Sequence, residues 1–426
     1  MDVERLRGSE PDVGTPDPQF WGADAWEGRR RFRTPSGRPG LLVLLRLAVV
    51  LLVLGTVAGL VLLWPRGTVH GSAFVNVHTD GATVTAVRRV RCRDRGADGC
   101  RRVSIELTSG PHAGTASSFT LIGETNVLVL APGDHIRVYP NALPHGAALP
   151  AGEKLDPYSF SDFDRRAPML WLAAGFAALL LVAARFRGLR ALVGLGASLL
   201  VIVGFVIPAI LHGGHPVDVA IVGALAVMLI TMPLNYGLGA KMIAALLGTA
   251  LSLLVAAGLA DSFSGLAHLS GAGSDESLYL AATQATISLR GLLIAGMVIG
   301  ALGVLLDLTV SQASTVLALR RANPRLGVSG LFHGALDVGQ DHISATVTTL
   351  VFAYAGAALP VLLIFSIGHT SFTDAVNGEA VAEEVIAALV GSIGLILSMP
   401  LTTILAALLA DRIDPDTILA EHAHAH

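Results

Sequence analysis

Residues 289–310 read LRGLLIAGMVIGALGVLLDLTV, an apolar run with one arginine at its start and one aspartate, Asp307, close to its end. A hydrocarbon layer of about 30 Å is crossed by about 20 such residues wound as a helix. The stretch therefore predicts a membrane span. Runs of the same kind recur near 41–64, 167–186, 190–211, 217–236, 239–260, 345–367 and 383–409, so eight spans are expected. The whole chain is 53% hydrophobic and 14% charged, where a soluble domain carries about 25% charge. Long apolar runs alternate with short polar ones, which separates a lipid-embedded chain from a soluble one with a rich core. Net charge is −3, and no basic stripe with interleaved aromatics appears, so nucleic-acid binding is excluded. The expected fold class is an α-helical polytopic membrane protein, with the lipid bilayer as its first partner.

Orientation follows from Lys and Arg in the short connections. Arg185, Arg187, Arg190, Lys241, Arg320, Arg321, Arg325 and Arg412 all fall on one side if eight helices alternate. Both termini are then cytoplasmic. Residues 1–40, rich in Pro and Gly and closing on Arg29–Arg38, read as a disordered tail, and residues 411–426 as a second one. Arg290 is an exception, at the outer mouth of the sixth span. Arg46 lies in the first span near its basic end and reads as a snorkelling side chain.

Residues 68–145 differ in character. Short alternating runs at 73–77, 83–91, 103–107, 126–130 and 136–139 are separated by Gly and Pro turns such as Gly110-Pro111 and Pro132-Gly133-Asp134. That pattern predicts a small extracytoplasmic β-barrel-like domain of five or six strands. Cys92 and Cys100 fall in this segment, where a disulfide is favoured over a zinc half-site. Residues 312–342 are too polar to span. They predict two short amphipathic helices on the inner membrane face, inside a seven-helix membrane domain over 167–410.

The candidate chemistry sits on the sixth span. Gly296, Gly300, Gly303, Asp307 and Ser311 follow at intervals of four, three, four and four, one face of a helix. The glycines are expected to admit a second helix closely. Asp307 is a carboxylate inside an apolar helix, which costs about 2.5–3.5 kcal/mol on insertion scales. The seventh span carries a matching stripe of His342, Thr346, Thr349, Ala353, Gly356 and Pro360. Asp307 and His342 fall at similar depths, so carboxylate, imidazole and the Thr346 and Thr349 hydroxyls form a candidate proton relay. The bland alternatives are an Asp that snorkels or caps, glycines that only pack, and threonines bonded to their own backbone. His212, His215 and the Glu421–His426 tail read as a turn and a frayed end, so no metal is expected. No nucleotide-binding loop, nucleophile elbow, zincin or CxxC motif occurs. Neither an enzymatic activity nor a cofactor is expected.

These motifs carry a resemblance. Gly300-Ala-Leu-Gly-Val-Leu-Leu-Asp307-Leu-Thr-Val-Ser-Gln312, Arg320-Arg-Ala-Asn-Pro-Arg325, Asp341-His-Ile-Ser-Ala-Thr-Val-Thr-Thr-Leu350 and Ala353-Tyr-Ala-Gly356 resemble the YibE/F family of bacterial membrane proteins. Gly391-Ser-Ile-Gly394 and Pro400-Leu-Thr-Thr403 fit as well. The resemblance implies a multi-pass protein of the bacterial plasma membrane. Leu306 stands where members carry a second acid, and Thr348 where they carry Asn. A weaker, fold-level likeness reaches the proton-carrying helices of RND-type permeases, where a Gly-rich helix also ends in an acid. Two functions are thus expected in turn. The first is a proton-coupled transporter or permease of an unknown small solute. The second is a non-transporting assembly protein, acting on an envelope partner through the β-domain. Gly55 and Gly59 permit a homo-oligomer.

Overall fold

In the computed structural model the described residues are 40–66, 78–91, 99–122, 129–141, 155–284 and 286–412. Seven helical stretches among them are long and apolar enough to cross a membrane. They are α1 (Gly40–Leu62), the joined α2 (Arg166–Val201) and α3 (Ile207–Leu211), α4 (Pro216–Tyr236), α5 (Ala240–Leu266), α7 (Leu289–Ala322), α8 (Val328–Ile367) and α10 (Glu379–Ala410). Short helices α6 (Asp275–Thr283) and α9 (Phe372–Asn377) lie in connections. The count is seven where eight spans were expected, because Arg166–Leu211 is a single helical stretch of 46 residues. It is not straight. Arg185 breaks the helical geometry at φ 51°, ψ −127°. A Cβ placed on Gly188 would fall 3.0 Å from the carbonyl carbon of Leu180, a residue that a straight helix would hold about 12 Å away. The chain folds back on itself at this basic turn, where the second and third expected spans meet.

The β-sheet has five antiparallel strands in the order β3-β2-β1-β4-β5. They are β1 (Asp80–Val90), β2 (Cys100–Leu107), β3 (Ala116–Leu121), β4 (His135–Pro140) and β5 (Tyr158–Phe163). Alternate residues Val84, Val103, Ile105, Leu107, Phe119, Ile136 and Val138 build its core. The two edge strands approach each other. The Phe119 and Phe160 rings lie 6.5 Å apart, and the Thr120 N–H donates to Asp156 Oδ2 at 2.7 Å, so the sheet curls towards closure. Three of the expected strands fall within β1, β2 and β4. Strand β3, whose sequence Ala-Ser-Ser-Phe-Thr-Leu is mostly polar, and β5, beyond the expected end at 145, were not anticipated. The expected strand at 73–77, most of that at 126–130, and Cys92 lie outside the described residues, and with Cys92 so does the disulfide expectation. Cys100 opens β2 and is buried. Where the sheet hands over to α2, the Arg165 guanidinium bonds Asp162 at 2.7 Å and holds its carboxyl below the usual carboxylate range.

The membrane core is shared by α4, α5, α7 and α10, whose apolar windows are half or more buried, while those of α1 and α8 are 11% and 6% buried. Helices α5 and α10 run antiparallel with their backbones close. Gly248 faces Thr402 and Gly394 faces Ala256, so in this register Ser252 lies level with Ser398. Small residues every fourth position are the membrane route to close packing.

The polar segment 312–342 corrects an expectation. It does not form two short surface helices. Residues 312–322 continue α7, and 328–342 open α8, with only the turn after Ala322 between them. Buried Val316, Leu317, Leu331 and Ala335 tie this helical hairpin into the main core, and that burial outweighs the exposed charges between them.

One end of the bundle is basic. Arg187 and Arg321 lie close enough to act electrostatically on Lys241, and Arg320 reaches Asp411 at 3.9 Å. The other end is acidic, with Asp218, Asp275, Glu276, Asp374 and Glu379 in the first turns of their helices. Acids at helix N-termini complement the helix dipole. Arg290, the exception to the basic side, is held at the acidic end by Asp261 at 2.9 Å.

Candidate functional site

Helix α7 carries two chemistries on opposite faces. The first face points away from the core. Gly296, Gly300, Gly303 and Asp307 are all exposed on it. Helix α8 runs beside this face and places His342 Nε2 3.5 Å from Asp307 Oδ2, with side-chain exposures of 38% and 71%. That separation is within ion-pair range and beyond the usual hydrogen-bond range. His342 Nε2 is shielded from solvent and has no hydrogen-bond partner. Its polar neighbour is therefore a carboxylate held just short of bonding, an arrangement in which a small shift makes or breaks a proton-sharing contact.

The glycines differ from the packing role expected of them. A Cβ on Gly296, Gly303 or Gly356 would meet nothing within 4 Å, and one on Gly300 would meet only the Tyr354 hydroxyl at 3.3 Å. The stripe leaves an open seam between α7 and α8 instead of a closed contact. At the acidic end, Gly296 and Tyr354 line a cavity of about 250 Å³ together with Glu383 and Glu384 of α10. Sequence reasoning passed over these two glutamates because they open the 383–409 run. Glu383 Oε1 is shielded without a hydrogen-bond partner. Along the same α7 face the cavity lining reaches Gly296, and the exposed Gly300 and Gly303 lie between it and Asp307. Thr346 and Thr349 do not join the Asp307–His342 pair. Their hydroxyls donate to the carbonyls of His342 and Ala345 at 2.8 and 3.0 Å, within their own helix.

The second face of α7 is buried. Thr309 lies 2.7 Å from Thr249 of α5, both fully buried. Three residues on, Gln312 Oε1 accepts from the Thr403 hydroxyl of α10 at 3.2 Å. Gln312 also packs against Gly339 of α8, where a Cβ would collide with its amide. Gln312 and Thr403 belong to motif stretches quoted above, and the fold brings them together across 91 positions. Thr249 and Ser252 were missed, although Gly248-x₃-Ser252-x₃-Ala256 is a legible small-residue repeat. Interhelical hydrogen bonds in bilayers are worth about 0.6–2 kcal/mol. Thr309→Val should lower stability by about that amount, read as a drop in melting temperature in detergent. An unchanged melting temperature would show that the pair contributes nothing.

Among the described residues no group of His, Cys, Asp and Glu is arranged to hold a metal ion. His212 Nδ1 sits 2.7 Å from the Pro208 carbonyl oxygen, and His215 lies 3.8 Å from Asp218. The 421–426 tail lies outside the described residues.

Neither a curated protein nor a solved structure matches the chain. The family model described as YibE/F-like protein matches residues 172–412, more than half of the sequence. The match takes in both faces of α7, the whole of α8 and the α10 threonines, and it leaves out α1 and the β-sheet. The chain is a membrane protein of the YibE/F-like family.

Proposed function

We propose that this protein is a proton-coupled secondary transporter of the bacterial plasma membrane, in which Asp307 binds and releases the coupling proton beside His342. The chain then crosses the bilayer eight times, the fold-back at Arg185 dividing the 46-residue stretch into two crossings. The basic end faces the cytoplasm with both termini, and the β-sheet faces outwards. The observation that carries this reading is the Asp307–His342 pair, 3.5 Å apart on an otherwise apolar helix face. A carboxylate in a span is costly unless it has a partner or a proton. An imidazole is the side chain whose ordinary proton affinity falls nearest neutral pH. The Glu383–Glu384 cavity at the outer end of the same α7 face offers a polar entrance, and a small solute is the expected cargo.

A pH jump on a solid-supported membrane loaded with the full chain tests this without knowledge of the cargo. Proton binding inside the bilayer displaces charge and gives a transient current. The wild type and Asp307→Glu should give one, and Asp307→Asn should give none. A full-size transient from Asp307→Asn would remove Asp307 from any coupling role.

A further inference from the structure

We propose that a second copy of this chain covers the open α7–α8 seam, and that Arg46 on its first helix is the counter-ion of Asp307. The inference rests on burial, depth and charge, and it does not depend on Asp307 moving protons.

Arg46 is exposed on α1 and makes no hydrogen bond or ion pair among the described residues. Around it Leu44, Leu47, Val50, Leu51 and Leu54 are all more than half exposed. Within one chain α1 packs on α4 and α5, through its buried Leu45 and Thr56, and it brings no side chain to Asp307. Among the described residues His342 alone is within ion-pair range of Asp307, and Arg46 has no anion within such range.

Their depths agree. Gly59 of α1 lies against Val222 of α4, and Pro216 of α4 lies against Gly291 of α7. Val222 is six residues beyond Pro216, and α4 and α7 both run from the acidic end, which puts Gly59 about level with Met297. Helix α1 runs the other way, so Arg46, thirteen residues before Gly59, lies about level with Val310. With near-parallel axes that is about 4.5 Å of helix rise from Asp307, well within the reach of an arginine side chain. The glycine floor of the seam admits a helix at close range, whereas an acyl chain laid there would add no polar partner to His342 for Asp307. An arginine fork fits a carboxylate, and the weak hydration of guanidinium makes it the cation best suited to this setting. The α1 patch and the seam are different surfaces, so each copy both offers an arginine and receives one when the contact closes.

The test is disulfide trapping in membranes between two differently tagged full-length chains, one carrying Arg46→Cys and the other Asp307→Cys. A cross-linked species containing both tags is expected from this mixture, and about tenfold less from a Leu62→Cys and Asp307→Cys mixture, because Leu62 falls level with Ile294, about 20 Å of helix rise from Asp307. Equal trapping at the two depths would overturn the pairing. No trapping, with both thiols still labelled by a lipid-soluble maleimide, would do the same. A charge exchange guards against thiol artefacts. Arg46→Asp alone should lower the oligomeric fraction of the wild type in nanodiscs, and adding Asp307→Arg should restore it. A wild type that is monomeric in nanodiscs overturns the proposal outright.

Discussion

Gly248→Leu is expected to prevent the membrane core from assembling. A Cβ at this position would collide with the Thr402 hydroxyl and would also fall 3.0 Å from Thr402 Cβ and 3.2 Å from its Cα. Rotating the threonine side chain cannot clear a clash with backbone, so α5 and α10 must separate. The separation would not stay local. About two turns away a Cβ on Gly394 would fall 3.2 Å from that of Ala256, and the adjoining Thr249–Thr309 and Gln312–Thr403 contacts depend on the same spacing. Overpacking by extra methylenes alone costs about 1–3 kcal/mol, and lost interhelical bonds add to it, so a loss above about 3 kcal/mol is expected. Size-exclusion chromatography in mild detergent reads this as aggregated protein where the wild type is monodisperse. Gly55→Leu, where a Cβ meets nothing within 4 Å, should elute as the wild type. If Gly248→Leu is monodisperse and melts where the wild type does, the close α5–α10 contact does not hold the core together.

Asp307→Leu should improve insertion of its helix while removing function. The side chain is 71% exposed; His342 lies within ion-pair range of it, and it acts electrostatically on Tyr236 of α4. Replacing it by leucine exchanges an unfavourable insertion term of about 2.5–3.5 kcal/mol for a favourable one of about half a kcal/mol. The isolated α7 segment should therefore insert more efficiently in a translocon-based assay, by about two orders of magnitude in the insertion equilibrium. The pH-jump transient should vanish in the same variant. A residue whose removal improves insertion and abolishes activity is one kept for function, the usual sign of a stability–activity trade-off. Poorer insertion of Asp307→Leu would mean that the carboxylate serves the structure, and the coupling argument would lose its basis.

Much of this was legible residue by residue. The spans could be read from apolar length. The Asp307–His342 pairing followed from two stripes and their depths. Strands β1, β2 and β4 followed from alternation. Other features were not legible. Arg185 carries no Pro or Gly of its own to announce a reversal, and φ 51° is an unfavourable backbone for arginine that the surrounding fold must enforce. The polar 312–342 segment has the composition of surface helices, whereas its apolar Val316, Leu317, Leu331 and Ala335 are buried in the main core. Glu383 and Glu384 looked like helix-end acids until the fold set them beside Tyr354 in one cavity.

The residues alone establish that this chain lives in a bilayer, where its apolar spans run, and that Asp307 and His342 fall at similar depths. They can do so because lipid offers backbone groups no partner, so each span must be a complete apolar helix and is written locally. The tertiary structure decided which face of each helix is inside. Lipid and protein interior are almost equally apolar, so no hydrophobic gradient marks the buried side. Glycines with the spacing of a packing stripe therefore line an open seam, and the packing face of α7 is the one carrying Thr309 and Gln312.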